Sequence, residues 1–280
     1  MRFGISTHLY HDQKLDRSHL AQVAKYGFEC VELFATRSHF DYRDPAAIAE
    51  LGDWLKTTGL SLHSMHAPIT DRFPAGDQWK PVFSIAATDA ARRQAAVDEA
   101  GAALEVAKTL PFGLLVVHVG TPDTKAGAGD NNRGAATRSI EEICRLAEPL
   151  GVRVALEVIP NVLSTPSSLV AMLERELELP VAGICLDFGH AFLGGDVPDA
   201  IETVAEHLIA THVHDNHRRT DEHLVPYRGA INWDAALMSM QKIGYDGTYV
   251  MELANIGTPA AVLEDARKAR QQLESAAEWR

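Results

Sequence analysis

The stretch VRVALEVIPNVLSTPSSLVAMLERELELPVAGICLD, Val152–Asp187, contains one complete structural unit. An apolar run closes on Glu157, and Thr165-Pro166 then supplies a capping hydroxyl followed by a proline suited to a first helical turn. An amphipathic stretch follows over Pro166–Glu176, and a second apolar run, Val181–Asp187, again ends on an acid. Strands this continuously hydrophobic belong in a parallel sheet covered on both faces. The same alternation extends in both directions. Strands are predicted over Phe3–Thr7, Cys30–Phe34, Leu60–His66, Leu114–Val119, Val152–Val158, Val181–Asp187, Ile209–His214 and Thr248–Leu253. Helices are predicted over Arg17–Tyr26, Pro45–Thr58, Thr88–Thr109, Ala135–Leu150, Pro166–Glu176, Pro198–His207, Trp233–Ile243 and Pro259–Ala276. Asp44-Pro45 and Thr258-Pro259 repeat the opening signal, and Gly27, Gly59, Gly151 and Gly244 stand where helices end. Eight strands alternating with eight helices predict an α/β fold, the (β/α)8 TIM barrel, with residues 1–280 as one domain.

Composition narrows the functions open to such a barrel. Lys and Arg number 26 against 38 Asp and Glu, a formal charge of −12. This disfavours nucleic acid and anionic membrane as partners. Cys30, Cys144 and Cys185 are few, odd in number and set in apolar runs, which argues against a disulfide scaffold and for a cytoplasmic protein. The start, Met1-Arg2-Phe3-Gly4-Ile5-Ser6, has no apolar core of a leader, and no apolar run of membrane-spanning length follows, so neither export nor membrane insertion is expected. Two stretches, Pro68–Ala87 and Gly120–Gly134, exceed a usual strand-to-helix loop. The second reads equally as a functional loop or a plain surface connection.

Polar residues recur at the carboxyl ends of the apolar strands, where barrels build their sites. His66 ends the third strand, His118 the fourth and Glu157 the fifth. Asp187 ends the sixth with His190 just beyond, His212 and His214 end the seventh, and Glu252 the eighth. A lone strand histidine is usually a hydrogen-bonded core residue. Buried carboxylates are different, because each needs a cation, a proton or a hydrogen-bond donor. No Lys or Arg lies within these strand ends, although Arg218 and Arg228 on loops are within reach of the mouth. A divalent ion is the simplest common partner. Carboxylate and imidazole without thiolate suit Mn, Co, Mg, Fe or Zn. Cys185, deeper on the same strand face as Asp187, is expected to pack in the core. Glu32 and His8 extend the polar rim.

Leu186-Asp187-Phe188-Gly189-His190-Ala191-Phe192, His212-Val213-His214-Asp215-Asn216, and Asp221-Glu222-His223-Leu224 with Gly229-Ala230-Ile231-Asn232-Trp233 resemble the xylose isomerase-like TIM-barrel superfamily. That group contains sugar and sugar-phosphate isomerases and epimerases and, more remotely, endonuclease IV-type abasic-site nucleases. The resemblance covers essentially the whole chain. From the epimerase branch it implies one metal held by Glu157, Asp187, His212 and Glu252, with the two glutamates as catalytic acid and base. It implies substrate contacts from His66, His118, His190 and Arg218, with Asp215 matching a further acidic position. Trp79, Phe34 or Phe192 would wall the substrate. The implied activity is isomerisation or epimerisation of a small sugar or polyol-derived carbonyl compound, by proton transfer through an enediolate. The family's habit also implies a homo-oligomer.

The endonuclease branch implies instead three zinc ions and phosphodiester hydrolysis at abasic DNA. His66, His118, His190, Asp221 and His223 would then be additional metal ligands. Ile159-Pro160-Asn161 departs from the small, polar wording that follows the glutamate in that branch. A metal-dependent lyase or dehydratase would use the same proton abstraction, and a non-enzymatic metal or sugar sensor would use the same pocket.

Overall fold

The computed structural model describes residues 1–72, 83–177 and 179–278, the side chain of residue 278 excepted. Eight parallel strands close into a barrel in the order β1-β2-β3-β4-β5-β6-β7-β8. They are β1 Arg2–Ser6, β2 Cys30–Phe34, β3 Ser61–His66, β4 Leu114–His118, β5 Arg153–Glu157, β6 Ala182–Asp187, β7 Leu208–Val213 and β8 Thr248–Met251. The helices are α1 Arg17–Lys25, α2 Pro45–Thr58, α3 Ala90–Glu105, α4 Arg133–Ala147, α5 Pro166–Arg175, α6 Phe188–Gly194, α7 Val197–Val204, α8 Trp233–Lys242 and α9 Pro259–Glu278. Among the described residues no helix is long and apolar enough to cross a membrane.

The caps fall where the sequence places them. Asp44, Thr165 and Thr258 accept backbone N–H groups of the turns they open. Gly27, Gly59, Gly151 and Gly244 take the left-handed conformation after a helix. Two differences have local causes. Strands β7 and β8 stop before His214 and Glu252, because the ladder ends there and the chain turns into the loops of the mouth. Helix α6 is additional to the expected set: Asp187 Oδ1 accepts the His190 N–H at 2.7 Å and starts a helix directly from the strand end.

Side-chain alternation separates two apolar layers. Leu115, Val117, Val154, Leu156, Ile184 and Leu186 face the helices within the large core. Their neighbours Leu114, Val116, Ala155, Cys185 and Ala210 form a separate cluster inside the barrel. Continuing that inner parity towards the carboxyl ends gives His118, Glu157, Asp187 and His212. Cys185 is thus a fully buried floor residue, and all three thiols are free and buried.

His39 links two rim segments: its Nδ1–H donates to Gln13 O at 2.6 Å, while Nε2 is buried without a partner. Burial pushes this imidazole down to about 4, whereas in the unfolded chain it titrates near 6.5. A depressed folded value means that the native state resists protonation. Its contribution is complete above about pH 6.5 and is lost as pH falls towards 4, amounting to about 3 kcal/mol. Urea unfolding between pH 7 and 4 should therefore show a shallower loss of stability in a His39→Asn variant than in the parent. Equal slopes would refute the assignment.

Candidate metal centre

Strand register makes the first neighbours. His118 pairs with Glu157 across β4 and β5, and Asp187 with His212 across β6 and β7. Barrel closure makes the rest. His212 Nδ1 lies 3.1 Å from Glu157 Oε1, 3.5 Å from Glu252 Oε2 and 3.9 Å from Asp187 Oδ2. One donor atom from each of Glu157, Asp187, His212 and Glu252 falls within 4.8 Å of the others, and all four residues are buried. A second group adjoins it: His66 Nε2 and His118 Nε2 each lie 3.1 Å from Glu157 Oε2. In the third, Asp221 Oδ2 lies 3.0 Å from His190 Nε2 and 3.1 Å from His223 Nε2, with His214 alongside. His214 Nε2 itself points at Asp187 Oδ1, 2.9 Å away.

The hydrogen bonds on the far sides of these rings fix what each nitrogen offers. A backbone carbonyl only accepts, so the ring nitrogen beside it must carry the proton. His66 Nδ1 donates to Ala67 O, His190 Nδ1 to Val158 O and His223 Nδ1 to Glu252 O, at 2.8, 3.1 and 3.0 Å. Each neutral ring therefore turns an Nε2 lone pair towards a carboxylate oxygen. Lone pair facing lone pair in a buried site is repulsive unless a cation or a proton lies between. Among the described residues no lysine or arginine pairs with Glu157, Asp187 or Glu252. The donor set fits a hard or borderline divalent ion, with the outer hydrogen bonds orienting its imidazoles.

The electrostatics agree. Burial pushes the Glu157 carboxyl up, yet the imidazoles of His118 and His212 hold it well below the usual carboxylate range. Burial likewise opposes ionisation of Asp221, and His223 and His190 outweigh it, so this carboxyl also sits well below its usual value. Burial opposes charge on His223, but the Asp221 carboxylate raises the imidazole to about 9. Absent an inorganic cation, imidazolium must supply the positive charge.

The loop after β7 presents Asp221 and His223 through a strained path. Arg218, His223 and Tyr227 all have positive φ, at 64°, 47° and 69°. Asp215 staples this loop: its carboxylate accepts from the N–H groups of Asn216, Tyr227 and Ile231 and from Trp233 Nε1, at 2.9 to 3.1 Å. The acidic position that the resemblance singles out thus acts on the loop backbone. Gly189 has a steric reason, because a Cβ there would strike the His214 ring.

Of the predicted site residues, the structure gathers His66, His118, Glu157, Asp187, His190, His212, Asp221, His223 and Glu252 at one barrel end. Arg218 stays at its margin, donating to Gly195 O at 3.0 Å with its guanidinium 5.0 Å from the Phe192 ring centroid. Arg228 turns away to Asp265. Phe34 packs 4.6 Å from the His66 ring and is buried. Trp79 lies outside the described residues. Two members exceed the roles read from sequence. His214 joins the third group, a part its position two residues after His212 on the same strand face allowed. Glu32 is fully buried within the barrel and contacts His212; nothing in its local sequence reveals that partner.

The chain belongs to the xylose isomerase-like TIM-barrel family, whose sequence profile, described as Xylose isomerase-like TIM barrel, matches residues 20–279. Uncharacterized protein MJ1311 of Methanocaldococcus jannaschii is 28% identical over 264 residues, covering 91% of this chain and 85% of that protein. The ketose 3-epimerase of Arthrobacter globiformis is 34% identical over 136 residues, 47% of this chain and 43% of the enzyme. Among solved structures, a D-tagatose 3-epimerase-like protein superimposes with a TM-score of 0.80 at 26% identity, covering 100% of this chain and 98% of that one.

Proposed function

We propose that this barrel is a divalent-metal-dependent isomerase or epimerase of a small sugar or polyol-derived carbonyl compound, working as one unit over residues 1–280. The observation that carries the reading is the placement of two buried glutamates, Glu157 on β5 and Glu252 just beyond β8, at 3.1 and 3.5 Å from the same atom, His212 Nδ1. The similarity to a ketose 3-epimerase and to a D-tagatose 3-epimerase-like protein supports it. Three buried free thiols support a cytoplasmic setting.

Glu157, Asp187, His212 and Glu252 would hold a divalent ion (Mn, Co, Mg or Zn), which would supply a Lewis acid for a carbonyl and its neighbouring hydroxyl. The chain's residues do the rest. One glutamate takes the proton from the carbon next to the carbonyl, and an enediolate forms. The other returns a proton from the opposite face, which inverts that carbon. His66, His118 and His190, which adjoin the central group through Glu157, would hold substrate hydroxyls; Arg218, at the margin, would contact the distal end. A panel of free ketoses, keto-sugars and inositol derivatives in deuterated buffer tests the reading. Deuterium should enter the carbon next to the carbonyl of the true substrate, and no exchange with any member would count against it.

One observation favours a second reading, a multinuclear zinc phosphodiesterase on abasic DNA: the groups around His66 and Asp221 carry the same outward hydrogen bonds and inward lone pairs as ligands would. The double variant Asp221→Ala, His223→Ala separates the two. Turnover should fall less than about tenfold if the central ion suffices. Loss by a thousandfold, together with three zinc ions per parent chain and nicking of abasic duplex, would establish the hydrolase.

A further inference from the structure

His66, His190 and His223 each spend a ring N–H on a backbone carbonyl, but His212 does not. Its Nε2 faces a side chain from the other side of the barrel: both carboxylate oxygens of Glu32 lie 3.1 Å away. Glu32 and His212 are each fully buried, and the Ser64 hydroxyl donates to Glu32 Oε2 at 2.8 Å. The sheet is built to allow this. Between β2 and β3 the pairing steps from Val31–Leu62 to Glu32–Ser64, leaving His63 as an extra residue. That bulge brings Ser64 into phase beside Glu32. A carboxylate kept this deep in a barrel is costly unless donors meet it, and the Ser64 hydroxyl and the His212 ring do so.

We propose that Glu32 is a positioning residue for the metal centre. Its carboxylate accepts the Nε2–H of His212 and so fixes that tautomer. Nδ1 is then left with a lone pair directed into the space between Glu157, Asp187 and Glu252. The negative charge behind the ring also makes Nδ1 a stronger donor than the carbonyl-bonded imidazoles of the outer groups. The central position would then hold an ion more tightly than the outer groups, leaving the outer histidines available to other partners. The inference rests on the reading of Glu157, Asp187, His212 and Glu252 as metal ligands.

Zinc affinity, measured by competition with a chromophoric chelator, tests it without reference to turnover. Glu32→Ala should weaken zinc binding roughly 10- to 100-fold. Glu32→Gln, whose amide oxygen can still accept the Nε2–H, should lose less. The visible bands of the cobalt-loaded protein should shift in the same order, while the apo protein's melting temperature should scarcely move for the Gln variant. Affinities of both variants within twofold of the parent, with unchanged cobalt bands, would overturn the proposal. Should the Ala variant fail to fold, the zinc-loaded parent decides by itself: nitrogen-15 NMR of its histidines should show His212 protonated at Nε2, and protonation at Nδ1 would overturn the assignment. A parent that binds no divalent ion defeats the metal reading together with this one; a parent that binds zinc while both Glu32 variants match it defeats this one alone.

Discussion

Glu157→Gln is expected to lower turnover roughly a thousandfold or more while leaving the barrel folded. Gln is close to Glu in volume, so packing at this fully buried position changes little. The chemistry changes a great deal. The carboxylate stands 3.1 Å from His66, His118 and His212, and no other acid of the site reaches all three rings. An amide cannot accept a proton from carbon, and removal of a general base costs on the order of 10²- to 10⁴-fold. Metal affinity should fall too, because an anionic ligand has been replaced by a neutral one. The measurement is steady-state turnover at saturating metal, paired with a metal titration. A variant with full turnover and full metal content would show that Glu157 is neither base nor ligand.

Glu252→Gln should be as severe for net conversion and informative in a different way. If the two glutamates address opposite faces of the substrate, this variant retains Glu157 on its own face. Interconversion of the two epimers should drop roughly a thousandfold at saturating metal. The epimer whose proton Glu157 removes should still exchange that proton with deuterated solvent, whereas its partner should not. Nuclear magnetic resonance of each epimer incubated separately reads both. Equal exchange of the two epimers would rule out the two-base arrangement and leave Glu252 as a ligand only.

Much of this architecture is legible in the residues, for a physical reason. A strand alternates its faces, so an acid or imidazole at its carboxyl end is committed either to the barrel or to the helices. Ala155 and Glu157, Cys185 and Asp187, and Ala210 and His212 show the inner parity directly, and the small or apolar member of each pair lies deeper. Helix ends were equally readable, since a capping oxygen and a left-handed glycine are local requirements. Pairings across the barrel were not. Glu32 and His212 are separated by 180 residues, and only closure of the sheet brings β2 against the side chains of β7. Helix α6 escaped because Phe188–Gly194 is too short for a period; its start depends on a side-chain hydrogen bond from Asp187. The direction of Arg218 also escaped, being set by a positive φ that a sequence does not display.

The charge balance of the site is the premise on which the mechanism stands. Glu32, Glu157, Asp187 and Glu252 are all buried at one end of an apolar barrel. Isothermal titration of metal-stripped protein with manganese, cobalt or zinc, on the parent and on Asp187→Ala, tests that premise most directly. One tightly held divalent ion per parent chain, weakened at least a hundredfold in the variant, is the predicted result. A parent that binds none of these ions more tightly than millimolar would mean that the carboxylates are neutralised by imidazolium alone, and the proposed chemistry would be excluded.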